Sequence, residues 1–265
     1  MEDWQVYAVR YAERNERTRA DSFLFDASHD TPHPMDYYVW VLRRGGETIL
    51  VDTGYDRAEG ATRGRPILME PAEALAPLGI TPDRISSIIV THLHYDHAGG
   101  LHLFPNATLH LQAAEMAYAT GPCMCHDALR HPYTGEHICE AVRRLHRGQV
   151  IFHDGDAEIA EGVSLHRIGG HSRGLQAVRV RCAAGWLCLA SDAAHFYENF
   201  LENRLFPIVV DAEHMLQGFS TIQRLATSPQ LVVPGHDPLV RHAFPQADHA
   251  DHIFRLDNGP AKRLF

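Results

Sequence analysis

The sequence predicts a layered α/β protein, with sheets covered by helices. Three observations carry that expectation. Short apolar runs recur along the 265 residues, and each closes on a turn or a polar cluster. Single helical segments interrupt the runs. No Pro- or Ser-rich linker divides the chain and no short-period repeat is evident, so one domain over residues 1–265 is expected.

Each element follows from its local pattern. YYVWVLRRGGETILVDTGYD reads as two strands joined at Arg44-Gly45-Gly46, because the glycines permit positive φ in a tight hairpin. The second of these strands ends on Asp52. EPAEALAPLGI reads as a helix, followed by the strand ISSIIV. ATLHLQ reads as a strand and AAEMAYAT as the start of a helix. The stretch from Gly121 to Gly135 has no clear period and is expected as an ordered loop. EHICEAVRRLHR spaces Ile138, Val142 and Leu145 as one helix face. QVIFH, SLHRI, LQAVRVR, GWLCLAS and LVVP read as strands punctuated by glycine turns, with a helix over 212–226 before the last. The tail after Pro245, with QADHADH, is expected to be peripheral.

Composition narrows the function classes. A formal net charge of −9 and the lack of a Lys/Arg run argue against a nucleic-acid partner. The apolar runs are far too short for a membrane span. MEDWQVYAVR has no apolar leader pattern, so a cytoplasmic location is expected. Five irregularly spaced cysteines do not form a disulfide framework, and Cys123 and Cys125 read as part of a reduced loop. The 20 histidines are the anomaly.

They concentrate in THLHYDHAGG. His92, His94, Asp96 and His97 follow the apolar run ISSIIV directly. On an extended backbone alternate residues share a face, so His92 and His94 can point together. A turn through Asp96 and His97 aims a second group beside them. Imidazole and carboxylate suit zinc and related first-row ions without any thiolate. Three other strand ends carry matching groups: His171 in RIGGHSRG, Asp192 in LASDAAH and His236 in VVPGHDP. Together they supply the missing ligands of a two-metal centre on loops held by strands.

HLHYDH, GGH, SDAAH and PGHD, in this order with ILVDTG upstream, resemble the metallo-beta-lactamase superfamily. The resemblance implies a four-layer αββα sandwich with a dinuclear site at one edge. It implies that His92, His94 and His171 bind one divalent ion, that Asp96, His97 and His236 bind the other, and that Asp192 bridges them. Zinc is the default metal, with manganese, iron or cobalt admitted. Asp52 is implied as a carboxylate orienting a ligand imidazole. Chain length, the HLHYDHAGG loop and the Asn199-Phe200 pair after SDA are most similar to the N-acyl-homoserine lactonase branch. A hydrolase opening a lactone ring is therefore expected, with another hydrolase on the same scaffold (thioester, amide or phosphoester) as the alternative.

In that branch a tyrosine three positions after the bridging aspartate meets the lactone carbonyl. This sequence has His195 there and Tyr197 two positions on. His195 is expected as a substrate-facing donor and Asp96 as a proton carrier. Phe23, Phe25, Met124, Tyr133 and Tyr197 are expected to line a small-molecule pocket. A homodimer is the expected assembly.

Overall fold

The computed structural model describes residues 2–248 and 250–265; Met1 and His249, the latter within the QADHADH tail, lie outside the described residues. Strands are numbered along the chain. One sheet has, in spatial order, β12 (Gln246–Ala247), β13 (Ala250–Arg255), β1 (Gln5–Arg14), β2 (Met35–Arg44), β3 (Glu47–Val51), β4 (Ser87–Ile89), β5 (Thr108–Gln112) and β6 (Val150–His153). The other has β11 (Val232–Pro234), β10 (Gly185–Ser191), β9 (Gln176–Cys182), β8 (Val163–Arg167) and β7 (Ala157–Ala160).

Strand alternation builds the layers. Val6 and Ala8 of β1 and Tyr38, Trp40 and Leu42 of β2 meet Leu165, Val178, Val180 and Leu189 of the second sheet. Tyr7, Val9 and Tyr11 of β1 and Val39 and Val41 of β2 face the opposite way, toward Ala74, Leu101, Met116 and Ala141 on outer helices. The helix Ala212–Leu225 buries Met215, Phe219 and Ile222 against the second sheet. The result is the αββα sandwich. Burying one such side chain stabilises by about 1.5–3 kcal/mol, so these layers dominate the fold.

Two pairs of parallel strands place the site. β3 and β4 run parallel in one sheet, and β10 and β11 run parallel in the other. Their C-terminal ends carry Asp52, the 91–97 loop, Asp192 and His236 to one edge of the sandwich.

Three expectations change. The segment 121–135 is not a plain loop: it contains a short 3-10 turn, Pro122–Cys125, and a one-turn helix, Asp127–Arg130. Elements this short leave no hydrophobic period to read. Pro77 cannot donate to a helical ladder, so EPAEALAPLGI divides into Pro71–Ala74 and Ala76–Leu78, closed by Gly79 at φ +69°. The tail is not peripheral. β13 pairs with β1, and Ile253 and Leu256 are fully buried. β1 itself carries buried residues on both faces, which hides strand alternation in the sequence.

Candidate metal centre

His92 and His94 sit on extended backbone after β4, and the helical turn Tyr95–Ala98 starts directly behind them. The two imidazoles stay together, with Nε2 of His92 2.9 Å from Nδ1 of His94. The turn carries Asp96 and His97 to a neighbouring point. His171 follows Gly169 and Gly170, both at positive φ, and its Nε2 lies 2.9 Å from Nδ1 of His94. Asp192 stands between the two groups. Its Oδ2 is 3.2 Å from His171 Nε2 and 3.9 Å from His92 Nε2. Its Oδ1 is 3.3 Å from His97 Nε2 and 3.1 Å from His236 Nε2. Gly235 is required beside it: a Cβ there would lie 2.6 Å from Asp192 Oδ1.

The donor set fits divalent cations. Among the described residues, His92/His94/His171 and Asp96/His97/His236 each place three ligand atoms within 4.8 Å of one another. His97 Nε2 and Asp192 Oδ1 are buried without a hydrogen-bond partner, an unfavourable state that a cation between them relieves. Nitrogen and carboxylate donors without thiolate suit first-row ions, and the two triads with one shared carboxylate accommodate two of them.

Electrostatics separates the groups. Burial pushes His92 well below the ordinary imidazole range, reinforced by His97 and His94. Burial likewise lowers His94, reinforced by His171. Both imidazoles are thereby held neutral, the form that ligates. For His97, burial opposes the charge, but Asp192, Asp52 and Asp96 outweigh it and raise the pKa well above the usual value. For Asp192, burial opposes ionisation, yet His236, His97 and His195 win and hold the carboxylate ionised.

Outer contacts set the ring orientations. Asp52 Oδ2 is 2.7 Å from His97 Nδ1. The carboxylate is itself held by the Thr91 N–H at 2.8 Å and the Thr91 hydroxyl at 2.7 Å. Thr91 Oγ1 also reaches Ser191 Oγ at 2.9 Å, tying the two sheets together beside Asp192. Asp52 and Ser191 both adopt positive φ, +60° and +47°. Such non-glycine strain persists only where surroundings enforce it. His236 Nδ1 meets the Asp36 carbonyl at 2.9 Å. The Asp36 carboxylate is held by Arg10 and Arg241, each at 2.9 Å.

The remaining predicted residues divide. Tyr133 is buried edge-on to His94, with ring centroids 4.6 Å apart. It also lines an open groove of about 720 Å³ together with Met124, Ala119 and Ile138. Phe23 is buried against His33 and Phe196. Phe25 is 95% exposed and touches no part of the cluster. Tyr197 packs against Phe200 and Phe265 inside the core, because the helix Tyr197–Glu202 turns its first residue away from the edge. Tyr197 also borders a small cleft with His33, Phe196 and Asp237.

His195 lies beside Asp192. Its Nε2 lies 2.9 Å from Asp192 Oδ2, and its ring stacks on Phe206 at 3.9 Å. Burial pushes its pKa down to about 3, so the ring is neutral and has a single N–H. Its other ring nitrogen, Nδ1, is not engaged by Asp192.

Sequence reasoning missed Glu115, Asp36, Thr91 and Phe206. Only Glu115 left a signal: a lone carboxylate in the small-residue helix AAEMAYA.

A sequence model of the metallo-beta-lactamase superfamily matches residues 34–265. An N-acyl homoserine lactonase of Bacillus cereus is 29% identical over 216 residues, 76% of this chain and 80% of the relative. A Mycobacterium tuberculosis protein named as a metallo-hydrolase is 27% identical over 229 residues, 76% and 71% of the two chains. A crystallised N-acyl homoserine lactone hydrolase, with product bound at its catalytic metal centre, superposes with a TM-score of 0.73 at 24% identity, covering 90% and 95% of the two chains. A dizinc quorum-quenching lactonase superposes with a TM-score of 0.69 at 16% identity, covering 99% and 95%.

Proposed function

The chain belongs to the metallo-beta-lactamase superfamily, and from that premise we propose that it is a dinuclear metal hydrolase opening lactone rings, with N-acyl-homoserine lactones as the substrate class. The observation that carries this reading is Asp192, whose two oxygens face two separate sets of imidazoles. Similarity to Bacillus proteins named N-acyl homoserine lactonase supports a lactone as the substrate.

Two divalent cations, zinc by default for this nitrogen-rich set, supply Lewis acidity and acidify water at neutral pH. His92, His94 and His171 would hold one and Asp96, His97 and His236 the other, with Asp192 available to both. The other steps belong to the chain. Asp52 and the Asp36 carbonyl fix the faces that His97 and His236 present. His195 holds the bridging carboxylate through Nε2. Asp96, the most exposed of the seven ligands at 8%, carries the proton from attacking water to the departing ring oxygen. The groove beside Tyr133, with Met124 and Ile138, receives an acyl chain. Phe23, with Phe196, forms an aromatic wall on the His195 side.

Residues 1–265 act as one domain. The free cysteines suit a reducing cytoplasm. No helix among the described residues is long and apolar enough to cross a membrane. A homodimer is supported by Ile151 and Phe152, exposed on edge strand β6.

Proton release over a panel of lactones, thioesters and β-lactams, beside metal analysis, tests the reading. The expected outcome is lactone preference with about two metals per chain. A thioester turned over faster than every lactone overturns it.

A further inference from the structure

Glu115 is fully buried on the short helix Ala113–Ala119, and among the described residues no cation pairs with it. A buried carboxylate is costly unless hydrogen bonds replace its water. Here four donors do so, and they divide by oxygen. Oε1 accepts from the Leu93 N–H at 3.0 Å and the Tyr133 hydroxyl at 3.1 Å. Oε2 accepts from the Ser172 hydroxyl at 2.7 Å and the Gly174 N–H at 2.9 Å.

Leu93 lies between His92 and His94, and Tyr133 packs edge-on to His94. Ser172 follows His171 directly. One oxygen therefore holds the loop of the first two imidazoles, and the other holds the loop of the third. Gly174 shows how tight this junction is: a Cβ there would lie 2.3 Å from the Glu115 nitrogen. Asp52 and Asp36 serve His97 and His236, the Thr91 hydroxyl lies between His92 and His97, and none of the three is hydrogen-bonded to Glu115.

We propose that Glu115 is the positioning residue of the His92/His94/His171 metal site, setting the spacing of its two loops before the metal arrives. The proposal rests on the metal reading of the cluster and not on the identity of the substrate. It predicts a selective defect. In Glu115→Gln the amide can turn only one oxygen toward these donors, so its NH₂ confronts a backbone N–H of one loop.

The test is cobalt titration of the metal-free full chain, read by visible absorption and by chelator competition. Wild type should show two sites. Glu115→Gln should weaken one about 10–100-fold and leave the other unchanged. Asp52→Asn, acting on His97, should weaken the opposite site and so label the two. Ser172→Ala, which removes one of the four bonds, should give a smaller loss at the same site as Glu115→Gln. Equal weakening of both sites, or unchanged cobalt affinity with a lower melting temperature of the metal-free protein, overturns the proposal. If Glu115→Gln does not fold, Ser172→Ala with both affinities unchanged overturns it. Because no substrate is present, such a result leaves the lactone reading standing. A wild-type chain that takes up no cobalt overturns both.

Discussion

The two halves of the centre reach similar geometry by different means. The His92/His94/His171 half is all nitrogen, is packed against Tyr133 and Phe206, and is held through backbone and hydroxyl donors converging on Glu115. The Asp96/His97/His236 half contains a carboxylate, orients its imidazoles through Asp52 and a backbone carbonyl, and includes the most exposed ligand. The first half is a fixed anchor. The second keeps charge and access together, which suits the side where a proton must move.

Three measurements would break or sharpen that contrast. Asp192→Ala should have the largest effect, since it removes the carboxylate that faces both halves. It should cut activity by more than the roughly 100-fold upper range of an outer-contact loss and lower the metal content measured by elemental analysis. Normal metal content would show that the halves are independent. Asp52→Asn should be intermediate: affinity at the His97 half should fall about 10–100-fold, read by chelator competition. Equal loss at the His92 half would show that the loops act as one unit.

Asp237 should give the smallest effect, and only in its pH profile. Burial lifts its carboxyl to about 6, against acceptance from the Tyr197 and Leu239 N–H groups. A folded pKa above the unfolded one stabilises fully below pH ~4, and that contribution is lost as pH rises through about 6. In metal-free protein, Asp237→Asn should flatten the fall in stability between pH 4 and 6, worth at most roughly 3 kcal/mol. Urea unfolding at several pH values reads it. An unchanged slope would mean that Asp237 is not the group responsible.

Some of this was legible because its information is local. His92, His94, Asp96 and His97 fall within six consecutive positions, and a strand end followed by a turn is enough to split them. His171, Asp192 and His236 each close an apolar run on a turn, a weak signal singly, and the ordered set gained meaning through the family resemblance. The hairpin at Gly45-Gly46 was readable for the same reason. Glu115 was not, because its role is defined by residues 93, 133, 172 and 174, which only folding brings together. Nor were the surroundings of Tyr197 and Phe25 legible: the first packs into the core and borders a small cleft, and the second is exposed.

By itself, then, the sequence determined the ligand types, their order and the strands that deliver them, because each depends on neighbours a few residues apart. Only the tertiary structure decided that β13 closes against β1, that His195 lies against Asp192, and that a buried glutamate joins the loops of the first site. Those outcomes depend on contacts between residues far apart in the chain. Burial and hydrogen-bond satisfaction select such contacts once the layers have packed.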